Sequence, residues 1–341
     1  MKKFVGYEKG INFGGWFSQC DYSKDRFDNF ITEKDFEKVS GWGLDHVRIP
    51  IDYNLVEDDN GDYLESGIAY IQNAIDLCGK YNLNMILDVH KTLGFSFDFG
   101  ENEEGFFDSE KLQEHFYKLW EMLAGKFGKY HERVAFELLN EVTDSAFSDK
   151  WNEIALNCIK RIRAICPDIY ILVGGYWNNS IESVKDLAMP YDDKIVYNFH
   201  CYEPLIFTHQ GAYWIPDMPS DLRLSYPDTV ENYKKEHVKI ATSSHSVYNY
   251  ITKEMADAAF FEELFAEAVK IAEERNVALY CGEYGVINLA DTESTLKWFK
   301  DINSVFVKYG IGRAAWSYKE MDFGLSDDHM KPVIDEVVKY L

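Results

Sequence analysis

An α/β chain closing into a (β/α)8 TIM barrel is the fold class that this sequence predicts, and three observations predict it. Short β-rich runs begin near Gly10, Leu44, Leu83, Val134, Ile169, Ile195, Val277 and Ile311. Amphipathic stretches with a period near 3.6 separate most of them. The runs close on polar or aromatic groups at their C-terminal ends, and their N-terminal ends show no such habit. Strand–helix alternation implies a parallel sheet covered by helices. About eight strands point to a closed barrel, which gathers its working groups at the C-terminal mouth. An open doubly wound sheet would carry a Gly-rich phosphate turn after its first strand, and Gly14-Gly15-Trp16 does not have the Gly-x-Gly-x-x-Gly spacing.

The elements follow in order. The first run, Gly10-Ile-Asn-Phe-Gly-Gly-Trp16, leads to a helix expected over 32–42. The second ends Asp45-His46-Val-Arg48-Ile-Pro50 and precedes a helix over 66–81. The third ends Leu87-Asp88-Val-His90, before a helix over 109–130 that Ser109 can N-cap. The fourth run extends from Val134 to Asn140, ends at Asn140-Glu141, and is followed by a helix over 149–165. The fifth closes on Gly174-Gly175-Tyr176-Trp177-Asn178 and the sixth on Asn198-Phe-His200-Cys-Tyr202-Glu-Pro204.

The interval to the seventh run far exceeds the roughly 30 residues of a βα unit. The surplus, about 205–255, carries Phe207, Trp214, Tyr226, Tyr233, Tyr248 and Tyr250. It is expected to form a small subdomain or lid beside the mouth, within one domain spanning 1–341, because long loops in compact domains are usually functional or disordered. A helix over 260–275 leads to the seventh run, which ends Gly282-Glu283-Tyr284-Gly285. The last long helix, 292–309 with Thr292 as its expected cap, precedes the eighth run and its end, Ala315-Trp316-Ser-Tyr318.

Composition narrows the function. A net charge of −23 makes nucleic acid and anionic membrane surfaces poor partners, since phosphate binding wants clustered Lys and Arg. No apolar stretch approaches the roughly 20 residues of a membrane span. The start lacks an apolar leader core, so the expected location is cytoplasmic, or secreted with the leader removed. The 6 Cys occur singly, without Cys-x-x-Cys or zinc spacing, so no metal site is expected from them. A monomer acting on a neutral substrate fits this balance.

The chemistry centres on Glu141 and Glu283, each placed at the end of a short apolar run. Burying such a charge is costly unless it is paired or used. Two carboxylates at the ends of strands four and seven can face one another across a barrel mouth, as glycosidic-bond cleavage requires. Both separations stay compatible with the sequence: about 5 Å for retention and about 6.5–9.5 Å for inversion. Arg48 and Tyr202 suit Glu283 as an ionised nucleophile, with the reverse assignment of the two carboxylates still open at this point. Asn140 offers Glu141 a neutral neighbour and an amide for a sugar 2-hydroxyl. Trp316 offers a flat apolar face for a pyranose ring, with Trp177 and Trp16 as further platforms. Singly, these residues read as core packing or ion pairs: Arg48 as a structural cation, His90 and His200 as satisfied core histidines, Glu141 as a buried partner of Arg48. Their shared position at one end of the barrel favours function. Two rival classes are a metal-dependent barrel hydrolase using Asp88, His90 and His200, and a non-catalytic sugar-binding barrel.

The ordered set Gly10-Ile-Asn-Phe-Gly-Gly-Trp16, His46-Val-Arg-Ile-Pro50, Asp88-Val-His90, Leu138-Leu-Asn-Glu141, His200-Cys-Tyr202, Gly282-Glu-Tyr-Gly285 and Trp316 resembles glycoside hydrolase family 5, the cellulase A superfamily, over essentially the whole chain. It is most similar to the short clostridial endoglucanase C type, which also has an insertion after the sixth strand. The resemblance implies a retaining endo-β-1,4-glucanase acting on cellulose-like or mixed-linkage β-glucan, with β-mannan or xyloglucan as alternatives, and needing no metal or organic cofactor. It further implies Glu141 as acid/base and Glu283 as nucleophile, with Arg48, His90, Asn140, His200, Tyr202 and Trp316 around the sugar. One departure stands out: the family often has two consecutive His after the third strand, where this chain has His90-Lys91.

Overall fold

The computed structural model describes residues 1–341 except 59, 99, 100, 102 and 241–245. Eight parallel strands close into a barrel in chain order. They are β1 (Gly10–Asn12), β2 (His46–Asp52), β3 (Asn84–Lys91), β4 (Val134–Glu137), β5 (Tyr170–Gly174), β6 (Ile195–His200), β7 (Ala278–Tyr284) and β8 (Gly312–Ala315), with β8 returning to β1. The expected long helices are present as Glu33–Gly41, Glu65–Lys80, Glu110–Phe127, Ser148–Ile165, Ala258–Glu274 and Thr292–Tyr309. Their apolar stripes are buried against the barrel, as with Trp298, Phe299, Ile302 and Phe306 of the last.

Two details depart from the sequence reading. Ser109 caps its helix by accepting from the Leu112 N–H, but the cap of the last helix is Asp291, which accepts from Ser294 N–H, and Thr292 is already helical. Asp is at least as good a cap as Thr because its carboxylate also meets the positive end of the helix dipole. The fourth strand stops at Glu137 rather than Asn140. Beyond it the chain stays tied to its neighbours by Leu138 N–H to Leu172 O and Asn140 N–H to Val89 O, outside the regular ladder.

The barrel interior is layered. At the bottom, Phe4 and Tyr7 plug the opening against Ile86, Ala135, Leu172, Val196, Ala278, Tyr280 and Ala314. The alanines leave room for the three aromatic rings. Residues two positions further along each strand point to the same side, so the next layer holds Asn12, Arg48, Asp88, Glu137 and Asn198, all 0% exposed. Hydrogen bonds span the barrel here, from Arg48 on β2 to Glu137 on β4 and from Asn198 on β6 to Glu137. Register shifts between Phe199 and His200 on β6 and between Cys281 and Tyr284 on β7 occur at the mouth, and they pair His200 with Glu283. Irregularities of this kind re-aim side chains beside a site.

The 205–255 segment contains helices Leu205–Thr208 and Val230–His237, and a bridge between Thr229 and Met255. Its core members Phe207, Tyr226 and Tyr233 pack into the main hydrophobic cluster. Tyr226 also ties it to the helix Thr292–Tyr309, through Ser294 and Asp301. Residues 241–245 of this expected subdomain lie outside the described residues. Among the described residues no helix is long and apolar enough to cross a membrane.

Candidate active site

Arg48 organises the floor of the mouth. It is fully buried, and an unpaired guanidinium there would be prohibitive. Its Nε and Nη2 donate to the two oxygens of Glu137, at 2.7 and 2.8 Å. Nη1 donates to Glu283 Oε1 at 2.7 Å and to Asn12 Oδ1 at 2.9 Å. Nη2 also reaches Asn140 Oδ1 at 2.8 Å and Asp88 Oδ2 at 3.0 Å. The structural partner of Arg48 on strand four is therefore Glu137 and not Glu141, which corrects one reading of the sequence. Burial works against the guanidinium, but Asp88, Glu137 and Glu283 outweigh it and hold Arg48 charged.

Glu283, on β7, receives Arg48 on one oxygen and the Tyr202 hydroxyl on the other, the latter at 2.9 Å. Burial, and then the charge of Glu283, push the Tyr202 phenol well above its ordinary range, so it remains a donor. Glu141 lies four residues past the end of β4 with φ 45°, a left-handed turn that projects its carboxyl across the mouth. His200 Nδ1 lies 2.7 Å from its Oε1, and Asn178 Nδ2 donates to its Oε2 at 3.0 Å. Burial raises the Glu141 carboxyl to about 7, against the opposing hydrogen bond of Asn178 and the charges of His90 and Arg48. Burial likewise lowers His200 to about 4, so its ring is neutral near pH 7.

Oxygens of Glu141 and Glu283 and a nitrogen of His200 all lie within 4.8 Å of one another. That spacing is on the scale of the roughly 5 Å found for retention, well short of the 6.5–9.5 Å that leaves space for an inverting water. Chemically these three are also metal-ligand types, but Arg48 already places a positive charge on Glu283. Asp88, His90 and His200, the metal set considered from sequence, are not brought together: Asp88 holds His90, and His200 faces Glu141.

Among the buried polar atoms of the mouth that have no protein partner are His90 Nε2 and Asn140 Nδ2. His90 Nδ1 is 2.6 Å from Asp88 Oδ2. Burial disfavours the imidazolium, yet the charge and hydrogen bond of Asp88 prevail and raise His90 to about 9. Nε2 is then a donor. Trp316 lies parallel to the His90 ring, with centroids 5.9 Å apart and 2° between the planes, in a small cluster with Ala212, Ile287 and Phe323.

The other two tryptophans differ. Trp177 is half-buried at the start of the turn that carries Asn178. Trp16 is not a platform on this mouth: it is 2% exposed, stacked on Phe17 at 3.9 Å, with its indole N–H bonded to Phe27 O. Its place is the core, where an aromatic surface of that size is readily absorbed.

Sequence reading missed Asn12, Glu137, Asn178, Asn179 and Asn198. Asn12 and Glu137 had a usable signal, namely a polar residue facing the interior of an apolar run. Asn178 and Asn179 look like ordinary turn residues.

Comparisons with known proteins point to one family. The family model for cellulase, glycosyl hydrolase family 5, matches residues 7–322. Cellodextrinase A of Ruminococcus flavefaciens is 50% identical over 313 residues, covering 92% of this chain and 86% of that protein. Endoglucanase C of Acetivibrio thermocellus is 41% identical over 346 residues, covering 99% of this chain and 98% of that protein. Among solved structures, a hyperthermophilic endo-β-1,4-glucanase in complex with substrate superposes with a TM-score of 0.77 over 98% of this chain and 97% of that one, at 22% identity, a likeness of fold.

Proposed function

Because the chain belongs to the cellulase family, glycosyl hydrolase family 5, we propose that it hydrolyses β-1,4 bonds of cellulose-like or mixed-linkage β-glucan by double displacement, with Glu283 as nucleophile and Glu141 as acid/base. The chain is a glycosidase, and the endo-β-1,4-glucanase reading has the broadest support among its relatives. The observation that carries the mechanism is the pair of carboxyl groups within 4.8 Å, set in opposite environments. Glu283 meets donors on both oxygens, whereas burial keeps a proton on Glu141 up to about pH 7. A carboxyl group kept protonated by burial, facing one that meets a donor on each oxygen, is the pattern of an acid and a nucleophile.

The steps follow from the contacts. Glu141 gives its proton to the glycosidic oxygen as Glu283 attacks the anomeric carbon, forming a glycosyl-enzyme and releasing the alcohol. Arg48 and Tyr202 then lose negative charge from Glu283 as the ester forms. Glu141, now ionised, takes a proton from the incoming water, which displaces Glu283 and returns it to the carboxylate. Neutral His200 holds Glu141 in place in both states. Asn140 Nδ2 and His90 Nε2 supply donors for sugar hydroxyls, and Trp316 supplies the ring face. Trp177, half-buried beside Asn178, is a further candidate for a sugar platform. His209 and Trp214 of the inserted segment contact Tyr202 and Phe323, which supports reading that part of the segment as a wall of the cleft.

The test is reducing-end release and viscosity loss on barley β-glucan and carboxymethylcellulose, beside mannan and xyloglucan. A fast viscosity drop on the glucans is expected. Activity confined to mannan or xyloglucan would move the substrate assignment, and no hydrolysis of any of them would overturn the reading.

A further inference from the structure

Three consecutive residues, none of them glycine, hold left-handed backbone: Trp177, Asn178 and Asn179, with φ of 49°, 56° and 55°. This region is unfavourable for residues with a Cβ, mildest for Asn, and persists where the surroundings over-determine it. Here it delivers one amide to a carboxyl group and a second to the histidine that faces that group. Asn178 Nδ2 donates to Glu141 Oε2 at 3.0 Å. Asn179, fully buried, lies 3.4 Å from His200 Nε2, and His200 presents its other nitrogen to Glu141 Oε1. The turn is held by Asn178 N–H to Val142 O, one residue beyond Glu141. Gly174 makes room for it, since a Cβ there would come within 2.2 Å of Asn179 Oδ1.

We propose that Asn178, presented by this left-handed turn, is a positioning residue that governs how readily Glu141 gives up and recovers its proton in the two steps of the reaction. The inference rests on Glu141 being the acid/base. The groups facing Glu141 are His200 from β6, His90 from β3, Arg48 from β2, Glu283 from β7, Tyr202 beyond β6 and Asp98 from the loop after β3. His90 and Arg48 favour its ionised form, while Asp98 and Glu283 oppose it. Asn178 is neutral at every pH and meets Glu141 through its donor Nδ2, so this contact favours the carboxylate. Removing it should raise the proton affinity of Glu141. The acid step then persists to higher pH, and the base step starts only at higher pH.

Asn178→Gly keeps the left-handed backbone at no steric cost and deletes the amide. Asn178→Asp keeps the shape and substitutes a like charge. The experiment compares pH profiles of both variants and the parent on two aryl β-cellobiosides. One has a poor leaving group, where kcat/KM reports the acid step, and the other is the 2,4-dinitrophenyl substrate, where kcat reports breakdown of the glycosyl-enzyme. The expected result for Asn178→Gly is an upward move of about one pH unit, both in the basic limb of the first and in the acidic limb of the second. Asn178→Asp should move both further. Lower rates with unmoved limbs in the glycine variant would overturn the proposal. A parent that hydrolyses neither substrate would instead overturn the functional reading beneath it, as would a Glu283→Ala variant as active as the parent.

Discussion

Glu137 reaches no substrate in this account, yet Arg48 depends on it. Two of the guanidinium donors go to its oxygens, and all of these atoms are buried. Glu137→Ala leaves that cation under-compensated and should cost roughly 3–5 kcal/mol in a denaturant melt. Tyr202→Phe removes one hydrogen bond to Glu283 and little else. It should lower kcat/KM about 10- to 100-fold with an unchanged melting temperature. Glu141 carries a stability signature as well as a kinetic one. Its carboxyl group is raised to about 7 in the folded protein. The folded state therefore holds the proton more tightly than the unfolded one. The stability linked to Glu141 is complete below its unfolded pKa near 4.3 and is lost as pH rises through about 7, an effect on the order of 3 kcal/mol. Glu141→Gln should accordingly gain stability over the parent at pH 8 relative to pH 4, while losing activity. Most of the candidate residues at this scale were legible because they stand at the ends of apolar runs. Glu137 carried a different signal, a polar residue inside such a run, which attention to run ends passes over. Trp16 misled because a strand-end tryptophan serves a core and a sugar platform equally well in one dimension.

The strands and long helices were legible because apolar periodicity and strand–helix alternation are local signals. What stayed hidden is backbone conformation. No residue pattern announced that β4 ends at Glu137, that Glu141 turns at φ 45°, or that the β5–β6 connection runs through a left-handed turn and a short 3-10 segment, Ile181–Asp186. Those departures from regular structure are what aim Glu141, Asn178 and Asn179. Gly174→Ala tests one of them. Its Cβ must displace Asn179, so activity should fall at least about tenfold with KM little changed, because the residue disturbed acts through His200 and not on substrate. Asp291→Ala, at the cap of the last helix, should cost about 1 kcal/mol in a thermal melt and leave kcat intact.

The molecule as a whole separates stability from chemistry along the barrel axis. The bottom layer is aromatic and alanine-rich, the middle layer is a polar network around Arg48, and the mouth carries the two facing carboxyl groups and the unpartnered nitrogens of His90 and Asn140. The polar network fixes Glu283 before substrate arrives, so little reorganisation accompanies reaction. Double displacement with these roles requires that Glu283 bond to the sugar and that Glu141 not do so. A slow 2-deoxy-2-fluoro-β-cellobioside with a good leaving group, followed by peptide mass mapping, tests it directly. The expected result is one added 2-deoxy-2-fluorocellobiosyl mass on the peptide containing Glu283. A label on Glu141, or turnover with no covalent adduct on either residue, would contradict it.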